Sequence, residues 1–354
     1  MKIVSVVGAR PQFIKIKPIA EELKRHKGVR HVLVHTGQHY DYELSKIFFD
    51  ELDIPSPDYK LNVGSLAPGA QTGLMLERTE RVLLHEKPDI VLVYGDTNST
   101  LAGALAAAKL NIRVAHIEAG LRSYRNDMPE EINRVLTDRI SCLLFCPTAI
   151  SVRNLKKEGI TRGVFLVGDV MSEVFLKSKC LLKKRKILSQ LRLKPKEYFL
   201  LTIHRQENTD NINNLVSIFS ALEKEKRKIV FPVHPRTAKV LKEIKVKKYN
   251  NFIYLHPVSY LDMLALEGNA RKIITDSGGV QKEAYWFGVP CVTLRNETEW
   301  EETVESGWNI LVGSDQERIK DAIKETDALR QLDERCYRSY GASRKIADII
   351  LKTS

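Results

Sequence analysis

A chain of 354 residues, 43% hydrophobic and 28% charged, has an ordinary globular composition and enough length for two full cores. No apolar run nears the ~20 residues of a membrane span, and five scattered cysteines make no disulfide framework, so a cytoplasmic protein with reduced thiols and no membrane partner is expected. The net charge of +12 gathers at 177–196 and 224–248 and reads as a solvated basic face; without zinc-finger spacing or an RNA-binding aromatic signature, no nucleic-acid partner is expected.

Residues 2–7 alternate toward a buried first strand and run into Gly8-Ala9-Arg10-Pro11-Gln12-Phe13-Ile14-Lys15, then a helix to about His26. One glycine before a helix start, flanked by Arg10 and Lys15, offers an anion site, although neither a dinucleotide fingerprint nor a Walker loop is present. Residues 31–35 form the next strand, ending in Thr36-Gly37-Gln38-His39, and a helix is expected before the Pro55-Pro57 loop. A further helix, about 69–87, leads to the stretch on which the chain turns.

That stretch is 91–134. An apolar run, Val91 to Tyr94, ends in Gly95-Asp96; an Ala/Leu-rich helix follows; a second run, Val114 to Ile117, ends on Glu118. Strand, helix and strand make a parallel crossover with both carboxyl ends on one edge, where open α/β sheets bind ligands. Asp96, Glu118 and the nearby Met128-Pro129-Glu130-Glu131 bring carboxylates together among Arg122, Arg125 and Arg134. Carboxylates sharing a cleft shift one another's affinity for protons, which points to acid–base chemistry rather than simple helix capping. A helix, the strand 142–146, another helix at 152–159 and a strand at 164–167 close a first domain, 1–168. Cys142 and Cys146 sit in an apolar run and read as core, not metal ligands.

From 169 to 340 the β and α rhythm resumes. Strands end on His204, His234, His256 and Asp276, a row expected to line one crevice. Asp276-Ser277-Gly278-Gly279 then opens a helix, a geometry suited to a diphosphate, with Glu283 placed to accept ribose hydroxyls. A short strand follows and ends at Arg295. Two α/β domains with an anion site each point to a nucleotide held in the cleft between them.

Taken together, GARPQFIK at 8–15, HTGQHYD at 35–41, YGDTNSTLAG at 94–103, HIEAGLRS at 116–123 and MPEEINR at 128–134 resemble the non-hydrolysing UDP-N-acetylglucosamine 2-epimerases. So do HRQEN at 204–208, VHPRT at 233–237, TDSGGVQKEA at 275–284 and LRNETEW at 294–300, so the resemblance covers nearly the whole chain. It implies a glycosyltransferase-B architecture of two Rossmann-like domains, a homodimer, and a C-terminal helix at 341–354 that packs back on the first domain. It also implies loss of the C2 proton, departure of UDP from C1 to leave 2-acetamidoglucal, and re-addition, with no cofactor and no metal. Position by position, Asp96, Glu118, Glu130, Arg134 and His204 match the catalytic set. Arg10, Lys15, His234, Ser277, Gly278, Gly279, Glu283 and Arg295 match the UDP-binding set.

Two departures stand out. Ala9 and Gln12 flank Arg10-Pro11 where many members carry Thr and Glu, and Trp300 stands where many carry arginine. This variant pattern is also similar to the branch acting on UDP-2,3-diacetamido-2,3-dideoxyglucuronate, with the same chemistry at C2. UDP-N-acetylglucosamine is the first expectation; a glycosyltransferase of the same fold is the more distant one. A nicotinamide enzyme is disfavoured by the missing fingerprint after the first strand.

Overall fold

The computed structural model describes residues 1–38, 54–243, 249–324 and 341–353. The helix expected between His39 and the Pro55-Pro57 loop lies mostly outside these, as do His39, Tyr40 and Asp41 of the HTGQHYD motif. The chain divides into two compact units, each an α/β sandwich on its own parallel sheet.

In the first unit β1 (Lys2–Val7), β2 (Arg30–His35), β3 (Tyr59–Lys60), β4 (Ile90–Tyr94), β5 (Arg113–Ile117), β6 (Leu143–Cys146) and β7 (Val164–Leu166) form a seven-stranded sheet ordered β3-β2-β1-β4-β5-β6-β7. Every pairing is parallel. Helices cover both faces of such a sheet, so its central strands are apolar almost throughout, as in β4, where Ile90 to Tyr94 are all fully buried. The helix Asn98–Lys109 is built from small residues for a steric reason. A Cβ on Gly103 would stand 3.0 Å from Val6 side-chain carbons, so the helix lies hard against β1. Thr97 caps it, accepting from the Thr100 amide.

The second unit carries β8 (Tyr198–Thr202), β9 (Lys228–Pro232), β10 (Phe252–Leu255), β11 (Lys272–Thr275), β12 (Cys291–Thr293) and β13 (Asn309–Leu311), ordered β10-β9-β8-β11-β12-β13 and again all parallel. Phe199, Leu201, Phe219, Phe231 and Ile274 pack one face; Tyr198, Leu200, Ile273 and Ala284 pack the other. In both sheets the strand order reverses at one place, β1/β4 and β8/β11, and such switch points open a crevice at the strands' carboxyl ends.

The two compact units divide at Lys177/Ser178, inside the helix Val170–Leu182. The first half of that helix belongs to the first unit because Val170, Met171, Val174 and Phe175 are buried. Glu173 adds a tie, accepting from the amide (2.8 Å) and hydroxyl (2.6 Å) of Ser343. Ser343 opens the helix Ala342–Lys352, which packs on the helix Arg10–Leu23 of the same unit.

Candidate functional site

At the first switch point the chain leaves β4 through Gly95, whose φ of +62° is left-handed backbone that an L side chain resists. Space requires glycine as well. A Cβ would meet Lys15 Nζ at 3.0 Å and Glu118 Oε2 at 3.2 Å, so the Lys15 ammonium and Glu118 carboxylate lie directly over this turn. These two form an ion pair, each side chain only 8% exposed. Glu118 itself has φ +74°. A non-glycine residue held there costs about 1–3 kcal/mol, and such outliers gather at functional sites. The amides of Glu118 and Ala119 both donate to Phe145 O at 3.1 Å, which fixes the bend that turns Glu118 toward Lys15.

Next along the chain, Asp96 takes Arg134 Nη2 at 2.6 Å, and Arg134 Nη1 stands 3.1 Å from Glu131 Oε2. Asn133 Nδ2 donates to Asp96 O at 2.9 Å. The helix Pro129–Ile140 that supplies these groups is amphipathic in the reverse sense. Glu131, Asn133, Arg134, Thr137 and Asp138 are buried, while Ile132 and Leu136 are each 47% exposed. Glu130, half-buried, shares its first turn with Glu131, where a helix N-terminus favours negative charge.

Beneath lies a buried charged chain. His116 sits between Gly95 O and Asp138 Oδ1, 2.7 Å from each, and both groups are acceptors, so both ring nitrogens donate. Asp138 also accepts from Gly120 N at 3.1 Å and Arg122 Nη1 at 2.7 Å, and Arg122 clasps Glu158 with Nε (2.6 Å) and Nη2 (2.9 Å). Burial raises the Asp138 carboxyl, but His116 and Arg122 outweigh it and hold the group below its ordinary value.

Gln12, one of the two departures from the family pattern, ties the ends of two strands together. Its Oε1 accepts from the amides of Gly8 (2.7 Å) and Ala9 (3.0 Å), and its Nε2 donates to Tyr94 O (2.8 Å) and Thr100 Oγ1 (2.9 Å). At 1% exposure it is a pin between the ends of β1 and β4. Arg10 begins the following helix, and its side chain lies outside the described part of the structure.

At the second switch point, Asp276 follows β11 fully buried and accepts from the amides of His204 (3.0 Å) and Arg205 (3.0 Å) and from Asn208 Nδ2 (3.1 Å). His204 Nδ1 lies 3.3 Å from Asp276, and its ring stands 5.4 Å from that of His234. The order β10-β9-β8-β11 puts His256, His234, His204 and Asp276 side by side along one edge, with His256 exposed. Ser277 caps the helix Gly278–Phe287, and among the described residues only Ser277 Oγ comes within 4 Å of where a Cβ on Gly279 would stand, at 3.9 Å. The backbone there is open to an anion. Glu283 is 5% exposed on the same helix. The buried Arg295 makes a two-pronged bridge to Glu299 at 3.0 and 3.1 Å and reaches Glu297 at 3.3 Å. The Trp300 ring faces Lys282 Nζ at 4.0 Å, with Trp286 at 5.8 Å on the same ammonium.

The structure thus brings Asp96, Glu118, Arg134 and Lys15 together, with Glu130 one turn from Arg134, and groups His204, His234, Asp276 and Ser277 in the other unit. Lys15, expected among the diphosphate ligands, pairs with a carboxylate of the catalytic set. Glu131 was noted in the sequence only as a neighbour of Glu130, and His116 and Asp138 were not singled out by motif chemistry. A signal for Asp138 existed, since Glu131, Arg134 and Asp138 recur at i, i+3 and i+7, the period of one helix face.

Two doubly wound parallel sheets, each with charged or hydrogen-bonding side chains at its switch point, define the glycosyltransferase-B class. A calicheamicin glycosyltransferase structure shares that fold at TM-score 0.55 and 14% identity. Residues 21–351 match the UDP-N-acetylglucosamine 2-epimerase family, and the chain belongs to it. A UDP-N-acetylglucosamine 2-epimerase homolog of Methanococcus maripaludis is 55% identical, each chain covered to 99%. The UDP-2,3-diacetamido-2,3-dideoxy-D-glucuronate 2-epimerase of Pseudomonas aeruginosa is 45% identical over 99% of this chain and 100% of that one. A crystal structure of the Methanocaldococcus jannaschii UDP-GlcNAc 2-epimerase in complex with UDP-GlcNAc and UDP superposes at TM-score 0.93, with 45% identity over 99% of this chain and 100% of that chain. By family the protein is an epimerase, an isomerase of nucleotide sugars.

Proposed function

We propose that this protein interconverts UDP-N-acetylglucosamine and UDP-N-acetylmannosamine by elimination and re-addition of UDP. The observation that carries the reading is the pair of carboxylate–cation contacts, Glu118 with Lys15 and Asp96 with Arg134, at neighbouring strand ends beside Gly95. A weakly acidic C2–H needs a base fixed in place, and inversion needs a proton donor on the opposite face. Asp96, Glu118 and Glu130 fill these roles, Arg134 orients Asp96, and His204 is set by Asp276. The C2–H bond breaks and its proton goes to a carboxylate. Its electron pair becomes the C1–C2 double bond, and the C1–O bond breaks with its electrons on UDP. Ser277, the amides of Gly278 and Gly279, Arg10, His234 and Arg295 take the diphosphate charge, and Glu283 the ribose. A proton then returns to C2 from the other face as UDP rejoins C1.

A second reading, the same chemistry on UDP-2,3-diacetamido-2,3-dideoxyglucuronate, draws on the Pseudomonas aeruginosa relative and on Trp300 in place of an arginine. A homodimer belongs to the proposal because the outward Ile132 and Leu136, one helical turn apart, offer an apolar strip to a second copy. A cytoplasmic location is supported by the free thiols of Cys142, Cys146, Cys180 and Cys291. The test is a proton NMR time course in D₂O with no nicotinamide. UDP-N-acetylglucosamine should give its manno epimer with deuterium at C2, and recovered substrate should become labelled. Protium retained at C2 refutes the elimination route, turnover only with a sugar acceptor makes the protein a glycosyltransferase, and a preference of ~10²-fold for the uronate, the size of a lost ion pair, selects the second reading.

A further inference from the structure

We infer that Gln71, Asn98 and Asn133 are positioning residues for Asp96: their side-chain amides form a one-way hydrogen-bonded chain from the carbonyl of Gly64 to the peptide that carries the Asp96 carboxylate. The inference rests on the reading that Asp96 is one of the groups exchanging the C2 proton. Gln71 Nε2 donates to Gly64 O at 2.7 Å and to Gln38 O at 3.3 Å. Gln71 Oε1 accepts from Asn98 Nδ2 at 3.0 Å, and Asn98 Oδ1 accepts from Asn133 Nδ2 at 3.1 Å. Asn133 Nδ2 gives its other hydrogen to Asp96 O at 2.9 Å. Three helices supply the amides: Gln71 lies on Pro68–Glu86, Asn98 opens Asn98–Lys109 and Asn133 lies on Pro129–Ile140. Gln71 and Asn133 are buried and Asn98 is half-buried, so water competes little for the links, and each bond strengthens the next.

Both ends of the chain are backbone carbonyls, which only accept, and this fixes the orientation of every amide between them. Gln71 must turn its nitrogen to Gly64, so its oxygen faces Asn98. Asn98 must answer with its nitrogen, so its oxygen faces Asn133, which meets both of its acceptors with the same nitrogen. A flip of any one amide would set oxygen against oxygen. The anchor is itself held. Gly64 (φ +73°) and Gly37 (φ +79°) both have left-handed backbone, and Gly64 N donates to Gly37 O at 3.0 Å just past β2. At the far end Arg134, the residue after Asn133, takes Asp96 Oδ2 at 2.6 Å. Consecutive residues of one helix thus grip Asp96 by its peptide and by one carboxylate oxygen. Among the described residues nothing takes Oδ1, on a side chain that is 32% exposed. The chain therefore sets where that oxygen meets the substrate.

Steady-state kinetics with UDP-N-acetylglucosamine and calorimetry with UDP, both on the full-length protein, test this. Asn98→Ala breaks the middle link and Gln71→Met the anchor, and neither residue touches Asp96. Each should lower kcat by about tenfold, short of the ~10²-fold cost of a 1 Å misplacement, with KM and UDP affinity unchanged. In an Asp96→Asn background no carboxylate is left to aim, so Asn98→Ala should cost nothing further, since residues acting through one group are not additive. Deuterium incorporation at C2, followed by NMR in D₂O, reads that slow background. Wild-type kcat in both single variants, a fall in UDP affinity to match the fall in kcat, or an undiminished loss from Asn98→Ala in the Asp96→Asn background overturns the inference. If Gln71→Met fails to fold, Asn98→Ala at its half-buried position decides; if Asp96→Asn exchanges no deuterium, the kcat-against-KM split of the single variants decides alone. An Asp96→Asn variant with wild-type turnover refutes the catalytic reading of Asp96 instead, a result separate from the others.

Discussion

Asp138→Asn removes the anion at the centre of the buried chain under the first switch point. The carboxylate accepts two hydrogen bonds from charged or charge-sharing partners at 2.7 Å, His116 Nδ1 and Arg122 Nη1, and a third from Gly120 N at 3.1 Å. Charged hydrogen bonds contribute about 1.5–3 kcal/mol each, and breaking a buried ion pair costs about 3–5 kcal/mol. Glu158 still holds Arg122 from a partly exposed position, so the expected loss is near the lower end, ~3 kcal/mol, read by urea unfolding at pH 7. The native Asp138 carboxyl is held below its ordinary 3.8, so its stabilisation is present above about that pH and disappears as pH falls below it. The difference between wild type and variant should therefore close under acid conditions. Turnover should fall by ~10²-fold, because His116 also holds Gly95 O and with it the turn over which Lys15 and Glu118 meet. A variant within ~0.5 kcal/mol of wild type, the range of an inert surface change, and with full turnover would refute this account.

Replacement of Asp96, Glu118 or Glu130 by its amide, or of His204 by Ala, should each lower kcat by at least ~10²-fold while UDP affinity measured by calorimetry changes much less; parallel losses would merge the two sets of residues. The His31 ring, bonded to Ser5 Oγ at 2.8 Å, is pushed down to about 4 by burial, against the pull of Asp58. Its unfolded form binds a proton near 6.5, so wild-type stability should decline as pH falls from 6.5 toward 4, and His31→Gln should flatten that limb of the urea-derived stability curve.

The sheets were largely legible because buried parallel strands read as short apolar runs, and Val91 to Tyr94 or Tyr198 to Ile203 announce themselves. The edges were not. β3 has two residues and β13, Asn309–Leu311, begins on a polar residue, so neither reads as an apolar run, and their pairing is set by the neighbouring strand. Residues at strand ends, Asp96, Glu118, His204 and Asp276, could be placed from the alternation alone. Their partners could not, because Asp138 meets His116 from 22 residues away and Lys15 meets Glu118 from 103. Gln12 shows the limit of reading a motif as chemistry. A glutamine there supplies two accepted and two donated bonds between strand ends, a geometric duty that its place beside Arg10-Pro11 does not announce.

The helix Ala342–Lys352 has a consequence for how the protein is made. It buries Ile346, Ala347 and Ile350 and packs on the helix Arg10–Leu23, so the first unit takes part of its covering from a segment synthesised after the whole second sheet. The second sheet is synthesised in between. During elongation the nascent first unit must wait with an apolar helix face uncovered, in a window when holdase chaperones and proteases compete for it. A nonsense change between Leu311 and Ala342 would leave that window permanently open, even though all thirteen strands of the described residues had already been translated.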